Sequence, residues 1–266
     1  MYSTKWTASK IKALKGKQHF ACLTAGDYIT AKLLDECAIP LLLVGDSLGM
    51  TMLGYETTLP VTMAEMLHHT AAVVRGAKSA LVVADMPFLS YHVSVQQAIA
   101  NAGRFLKSAG AGAVKIEGGA SRAPTVKALT ENGIPVMGHI GLTPQSIRAL
   151  GGYKIAGRRA AEIKKLVSDA RALEKAGVFA LVLECMPPET ARRITAMVKI
   201  PTIGIGAGPH CDGQILVIHD MLGLSANVSP KFVKRYADLT AQIRQASGQY
   251  KAEVENGKFP AKEHCY

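Results

Sequence analysis

Pro40-Leu-Leu-Leu-Val-Gly-Asp46 is a short apolar run that stops at a glycine and an acid. A run of this length and composition reads as a strand buried on both faces, the kind found in parallel sheets. The same design recurs in Leu81-Val-Val-Ala-Asp85, Ala113-Val-Lys-Ile-Glu117, Pro135-Val-Met-Gly-His139, Ala180-Leu-Val-Leu-Glu184 and Ile215-Leu-Val-Ile-His-Asp220. Each run is followed by a helix-like or Gly/Pro-containing stretch. Strands are expected at Phe20–Thr24, Pro40–Val44, Ala80–Ala84, Ala113–Glu117, Pro135–His139, Phe179–Glu184, Pro201–Ile205 and Ile215–His219. Eight parallel strands alternating with helices make an α/β fold, a (βα)8 barrel. In such a barrel the carboxyl ends of the strands meet on one face, where the chemistry sits.

Working outward, the helices declare themselves by their caps. Thr62-Met-Ala-Glu65 has capping-box spacing, and Ser94 opens a helix over Val95–Ala109. Arg158–Ala176 carries apolar residues at helical intervals. Ser229-Pro230 reads as a cap with proline at the first helical position, and beyond it Phe232, Tyr236, Leu239 and Ile243 share a face. Ser9 is expected to cap a short helix from Lys10 to Lys15 that plugs the lower end of the barrel. Only a few residues separate Ile205 from Ile215, too few for an ordinary crossover. Either the seventh helix is vestigial, or Asp212–Val217 forms it and the eighth strand is shorter.

No linker or low-complexity tract divides the 266 residues, so one domain spanning residues 1–266 is expected. The 48% hydrophobic content contains few aromatics, which leaves Ala, Val, Ile and Leu to build the core. The net charge of +11 comes from basic residues spread along helical faces, without an aromatic-interleaved stripe, so no nucleic-acid partner is expected. The N-terminal lysines lack the apolar segment of a signal peptide, and no run is long enough to span a membrane. The five cysteines have neither C-x-x-C nor zinc spacing, which fits reduced thiols in a cytoplasmic protein.

Buried acids are costly unless paired or bound to a metal, so acids gathered at one barrel mouth are a functional signal. Asp46 is flanked by glycines that free its carboxylate, although a helix cap is the competing reading. Met86-Pro87 stops the strand after Asp85 at once, which favours a metal ligand over a cap. Lys115 and Glu117 are two apart on one strand, so both point inward if Val114 and Ile116 pack on helices. An ion pair is the plain alternative. His139 is either a structural hydrogen-bonder or a catalyst. Glu184 follows apolar neighbours that raise a carboxylate towards neutrality, which suits a general base, with a fourth metal ligand as the alternative. Gly204-Ile-Gly-Ala-Gly208 is a poor phosphate loop, since the Rossmann context is missing; a glycine-lined barrel mouth that admits a flat substrate is the better reading. Acids without a softer ligand cluster suit Mg²⁺, which would withdraw electrons from a 2-oxo acid and acidify the adjacent carbon.

The blocks VGDSLGMTMLGYETTLPVT, ADMPF, VKIEGG, GHIGLTPQS with GGYKIAGR, LVLECMP, IGIGAG and DGQILVIHD closely resemble the ketopantoate hydroxymethyltransferase family. The tail PKFVKRYADLTAQIRQASGQYKAEVENGKFP resembles it too. This family belongs to the phosphoenolpyruvate/pyruvate barrel superfamily. The resemblance implies hydroxymethyl transfer from 5,10-methylenetetrahydrofolate to 3-methyl-2-oxobutanoate, giving 2-dehydropantoate for pantothenate synthesis. A Mg²⁺-dependent 2-oxo-acid lyase of the same superfamily is the alternative. The resemblance to the hydroxymethyltransferase family implies that Asp46 and Asp85 hold Mg²⁺ with Glu117 close by, directly or through water. Ser47 and Lys115, with the chelating aspartates, would hold the 2-oxo acid, and Glu184 would remove the C3 proton. The family resemblance also implies a homo-oligomer, typically a decamer, associated through C-terminal helices. One departure stands out. The family's T-A-Y-D after the first strand is Thr24-Ala-Gly26-Asp27 here, with Tyr28 following.

Overall fold

The computed structural model describes residues 5–152, 155–224 and 230–266. They divide into two compact units, Met1–Val217 and Ile218–Tyr266.

The first unit is the barrel. Its strands are β1 (Phe20–Thr24), β2 (Leu41–Val44), β3 (Leu81–Asp85), β4 (Ala113–Glu117), β5 (Val136–Gly141), β6 (Ala180–Glu184), β7 (Thr202–Ile205) and β8 (Gly213–Leu216). They pair in parallel in chain order, and β8 closes on β1 through Phe20–Gly213 and Cys22–Ile215. The helices of this unit are α1 (Ala8–Lys12), α2 (Tyr28–Glu36), α3 (Leu48–Thr51), α4 (Met63–Gly76), α5 (Val95–Lys107), α6 (Ala123–Glu131), α7 (Ile147–Leu150), α8 (Ala160–Ala176) and α9 (Pro188–Met197). The prolines expected to open three strands lie one residue outside them. Pro40, Pro135 and Pro201 have no N–H for the ladder, but each carbonyl accepts from the neighbouring strand, at Leu81, Val114 and Leu181.

Alternation sorts the strand side chains. Leu41, Leu43, Leu81, Val83, Ala113, Met137, Ala180 and Val182 face inward and pack into one apolar cluster. Ile11 of α1 is fully buried in that cluster, and Trp6 and Leu14 pack against it, so the N-terminal segment closes the lower end as expected. The cap differs from expectation. Thr7, not Ser9, accepts from Lys10 N–H, and the helix ends at Lys12. Thr62 with Glu65 forms the complete capping box of α4, and Ser94 caps α5.

The eighth strand is the main correction. It runs over Gly213–Leu216 rather than Ile215–His219, and residues 206–212 cross to it without a helix. The positive φ of Gly206 and Gly208 lets so short a link turn back. With no helix after it, this loop offers no helix N-terminus to a phosphate.

The second unit contains α10 (Ile218–Met221) and α11 (Leu239–Glu255). Asp220 therefore lies in a helix and does not end a strand. The expected Ser229 cap lies outside the described residues, and Phe232 and Tyr236 lie between α10 and α11, in neither helix. Asp238 is the actual cap of α11, accepting from Ala241 N–H, and Thr240 Oγ1 donates to Gly223 O at 2.6 Å. Among the described residues, no helix is long and apolar enough to cross a membrane.

Candidate active site

The inward alternation of β3, β4, β5 and β6 continues upward from apolar to polar. Asp85 is the register partner of Lys115, and Glu117 of His139. Each pair of side chains therefore lies side by side on the inner face, as the two-residue spacing of Lys115 and Glu117 predicts. Asp46, Asp85, Lys115, Glu117 and His139 are each 4% exposed or less. Glu184, at the end of β6, is partly exposed.

Lys115 Nζ is the hub. It stands 2.8 Å from Asp85 Oδ1, 3.8 Å from Glu117 Oε1 and 3.3 Å from His139 Nδ1. His139 bridges the two sides of the site. Its Nδ1 lies 3.5 Å from Glu117 Oε1 and its Nε2 lies 3.1 Å from Glu184 Oε2. Glu184 thus faces an imidazole, where its chain neighbours alone suggested apolar surroundings; Leu183 alternates away from it, and Val182 lies below it on the same inner face.

Asp46 is not a helix cap. Ser47 occupies the N-cap position of α3, with no side-chain capping bond. The Asp46 carboxylate instead accepts from Gln145 Nε2 at 2.9 Å, and its backbone N–H donates to Asp85 Oδ2 at 3.3 Å. The uncapped Ser47 is half-buried next to this pair, so its hydroxyl is not committed to α3.

The electrostatics follow from burying these charges together. Burial, then the negative charges of Asp85 and Glu117, push the Asp46 carboxyl well above its usual range. Asp85 is raised chiefly by burial, although Lys115 pulls against it. Burial also opposes ionisation of Glu117, but hydrogen bonding to His139 and the charge of Lys115 outweigh it and hold the carboxyl low. Burial and Lys115 both act to lower His139, yet the carboxylates of Glu117 and Glu184 beside its ring lift it to about 9.

Two residues escaped sequence reasoning. Tyr91, in the β3–α5 loop, and Gln145, in the turn after β5, lie among the acids. The Tyr91 hydroxyl donates to Gln145 Oε1 at 2.6 Å, and Gln145 N–H donates to Glu117 Oε2 at 3.0 Å. A loop tyrosine has no periodic signature, and Gln145 stood out only as a letter of GLTPQS. Gly141 makes the turn possible. It has φ +102°, and a Cβ there would stand 2.2 Å from Glu184 O.

The donor chemistry fits a hard cation. Asp46 and Asp85 are adjacent, buried carboxylates whose mutual repulsion a divalent ion would relieve. Among the described residues, no group of three or more His, Cys, Asp and Glu is arranged to hold a metal by itself. Glu117 is turned towards Lys115, His139 and the Gln145 N–H. Mg²⁺ ordinarily takes one or two protein carboxylates and completes its shell with water and substrate, so the Asp46–Asp85 pair suits it.

At the mouth, Gly26 replaces the tyrosine of the related motif. A Cβ on Gly26 would stand 2.3 Å from Met52 Sδ, so Met52 fills the space of the missing side chain. Asp27 caps α2 by accepting from Thr30 N–H, and Tyr28 is exposed.

Comparison with known proteins follows the same lines. Residues 5–262 match the sequence model of the family described as ketopantoate hydroxymethyltransferase. The chain is 57% identical over 252 residues to a 3-methyl-2-oxobutanoate hydroxymethyltransferase of Syntrophomonas wolfei, covering 95% of this chain and 91% of the relative. It is 56% identical to the protein of that name from Syntrophus aciditrophicus, covering 98% and 97%. The barrel also superposes on phosphoenolpyruvate phosphomutase from Streptomyces platensis, with TM-score 0.63 and 14% identity over 98% and 92% of the two chains. For 2,3-dimethylmalate lyase, a PEP mutase/isocitrate lyase superfamily member, the TM-score is 0.61 at 14% identity over 97% and 91%. These last two likenesses concern the fold.

Proposed function

Because the chain belongs to the ketopantoate hydroxymethyltransferase family, we propose that it makes 2-dehydropantoate for pantothenate synthesis. It would transfer a hydroxymethyl group from 5,10-methylenetetrahydrofolate to 3-methyl-2-oxobutanoate. One observation carries the mechanism: a buried lysine among carboxylates at the strand ends, with the His139–Glu184 pair beside it.

Asp46 and Asp85 are the residues that would hold Mg²⁺, with Glu117 acting through water. Bound Mg²⁺ would draw electrons from the carbonyl of the 2-oxo acid and make its C3 proton more acidic. Lys115 supplies a positive charge to the carboxylate of that acid, and Ser47 offers its hydroxyl. Glu184 accepts the C3 proton, and His139 Nε2 holds the glutamate carboxylate in orientation. C3 then bonds to the folate methylene carbon, both bonds of that carbon to folate nitrogens break, water supplies the hydroxyl oxygen, and the C3 proton with one water proton ends on the two nitrogens of the departing tetrahydrofolate.

The exposed stripe of α11 supports a homo-oligomer, a decamer by resemblance. No residue of α11 is buried, although Ile243, Tyr250 and Val254 are large apolar side chains at helical intervals. All five cysteines are free, which suits a reducing cytoplasm.

The test is turnover with both substrates, with and without EDTA, alongside C3 deuterium exchange into 3-methyl-2-oxobutanoate. Exchange should require a divalent ion and fall at least about 100-fold in Glu184→Gln. Parent-level exchange in that variant would remove Glu184 from the base role. Cleavage of the 2-oxo acid without folate would favour a lyase instead.

A further inference from the structure

The Gln145 side chain has a fixed polarity, and the bonds around it say why. The Tyr91 hydroxyl has one proton to give. It accepts from Glu117 N–H at 3.2 Å, and its proton goes to Gln145 Oε1 at 2.6 Å. The alternative acceptor, Glu117 O, is farther away at 3.4 Å. With Oε1 thus an acceptor, the amide nitrogen must face the other way. Nε2 donates to Asp46 Oδ2 and to Met86 O, both at 2.9 Å. Turning the amide over would set oxygen against carboxylate and carbonyl, and NH₂ against a hydroxyl already receiving a proton. Tyr91 is 1% exposed and Gln145 4%, so water cannot replace these partners.

We propose that Tyr91 and Gln145 are positioning residues, a directed chain from Glu117 N–H through the phenol and the amide. The chain ties down Asp46 Oδ2 and leaves Oδ1 for the metal. The backbone of Gln145 also donates to Glu117 Oε2, so one residue of the turn after β5 fixes two of the acids. This inference rests on the reading that Asp46 holds the cation. Removing a hydrogen-bond partner of a metal-binding side chain typically costs about 10–100-fold in metal affinity.

The experiment is Mn²⁺ binding followed by electron paramagnetic resonance on the full-length protein without substrate. Gln145→Leu should weaken Mn²⁺ by about 10–100-fold. Tyr91→Phe, which frees the amide to turn, should weaken it less. The double variant should bind no more weakly than Gln145→Leu, because Tyr91 acts through Gln145. Parent-like binding in Gln145→Leu, or additive losses in the double variant, would overturn the chain. Should Gln145→Leu fail to fold, Tyr91→Phe decides alone, and unchanged affinity there defeats the proposal. Asp46→Asn separates the two levels. If it leaves Mn²⁺ affinity unchanged, the metal reading fails and the positioning role falls with it. If it weakens Mn²⁺ while Gln145→Leu does not, only the positioning role fails.

Discussion

Lys115 decides whether this site is stable at all. Asp46, Asp85 and Glu117 share a volume shielded from water, and Lys115 Nζ is 2.8 Å from one of them and 3.8 Å from another. Asp85 and Glu117 oppose the desolvation of the ammonium and hold its pKa above the ordinary lysine value. Removing the lysine would leave buried negative charge uncompensated, which typically costs about 3–5 kcal/mol. Lys115→Met should therefore lower the urea midpoint sharply in EDTA, and a divalent ion should restore more stability to the variant than to the parent, since it replaces the missing charge. Equal midpoints for both proteins in EDTA would show that Lys115 does not neutralise the cluster. Parity along β4 was enough to foresee this arrangement. It was not enough to foresee Gln145, which enters the same layer from a turn with no repeating pattern.

At the scale of elements, Asp212 shows how the short β7–β8 link is held. Its carboxylate accepts from Lys15 Nζ at 2.9 Å, Gly16 N–H at 3.1 Å and Thr202 N–H at 2.8 Å. It thereby fastens the N-terminal plug segment to the seventh strand. Burial opposes ionisation of this acid, but the bonds from Thr202, Lys15 and Gly16 win and depress its pKa below 3.8. A depressed acid contributes stability that is complete above its unfolded pKa and is lost as pH falls through the folded one. Asp212→Asn should thus cost on the order of 2 kcal/mol at pH 7. The gap between variant and parent should narrow below about pH 4. A gap that stays constant down to pH 2.5 in chemical denaturation would dismiss the ionised carboxylate as its source. The strand ends that carry the acids were legible because apolar runs and terminal acids are local signals. The start of β8 was not legible, because Gly213 and Gln214 resemble loop residues until β1 and β7 pair with them. The beginning of α11 was misread for a related reason. A shared helical face from Phe232 to Ile243 is compatible with a helix, but Asp238 caps it later.

For the whole molecule, the unsatisfied element is α11. A helix without a buried residue gains little from packing within its own chain beyond the edge-on contact of Tyr250 with Phe259, although most helical stability in proteins comes from packing. Its large apolar side chains, Ile243, Tyr250 and Val254, are exposed together. Leu239, Ile243, Ala246 and Tyr250 follow steps of four, three and four, the spacing of a seam that meets another helix. The proposed homo-oligomer provides that partner in a second copy of the chain. Replacing both Ile243 and Tyr250 with Glu places two charges in the seam, where neither would find a partner. Light scattering after size exclusion should then give a smaller assembly than the parent. The barrel is expected to remain folded, because neither side chain is part of its apolar cluster. A parent that is already a monomer would remove the oligomer proposal, and an unchanged mass for the variant would move the interface to another surface.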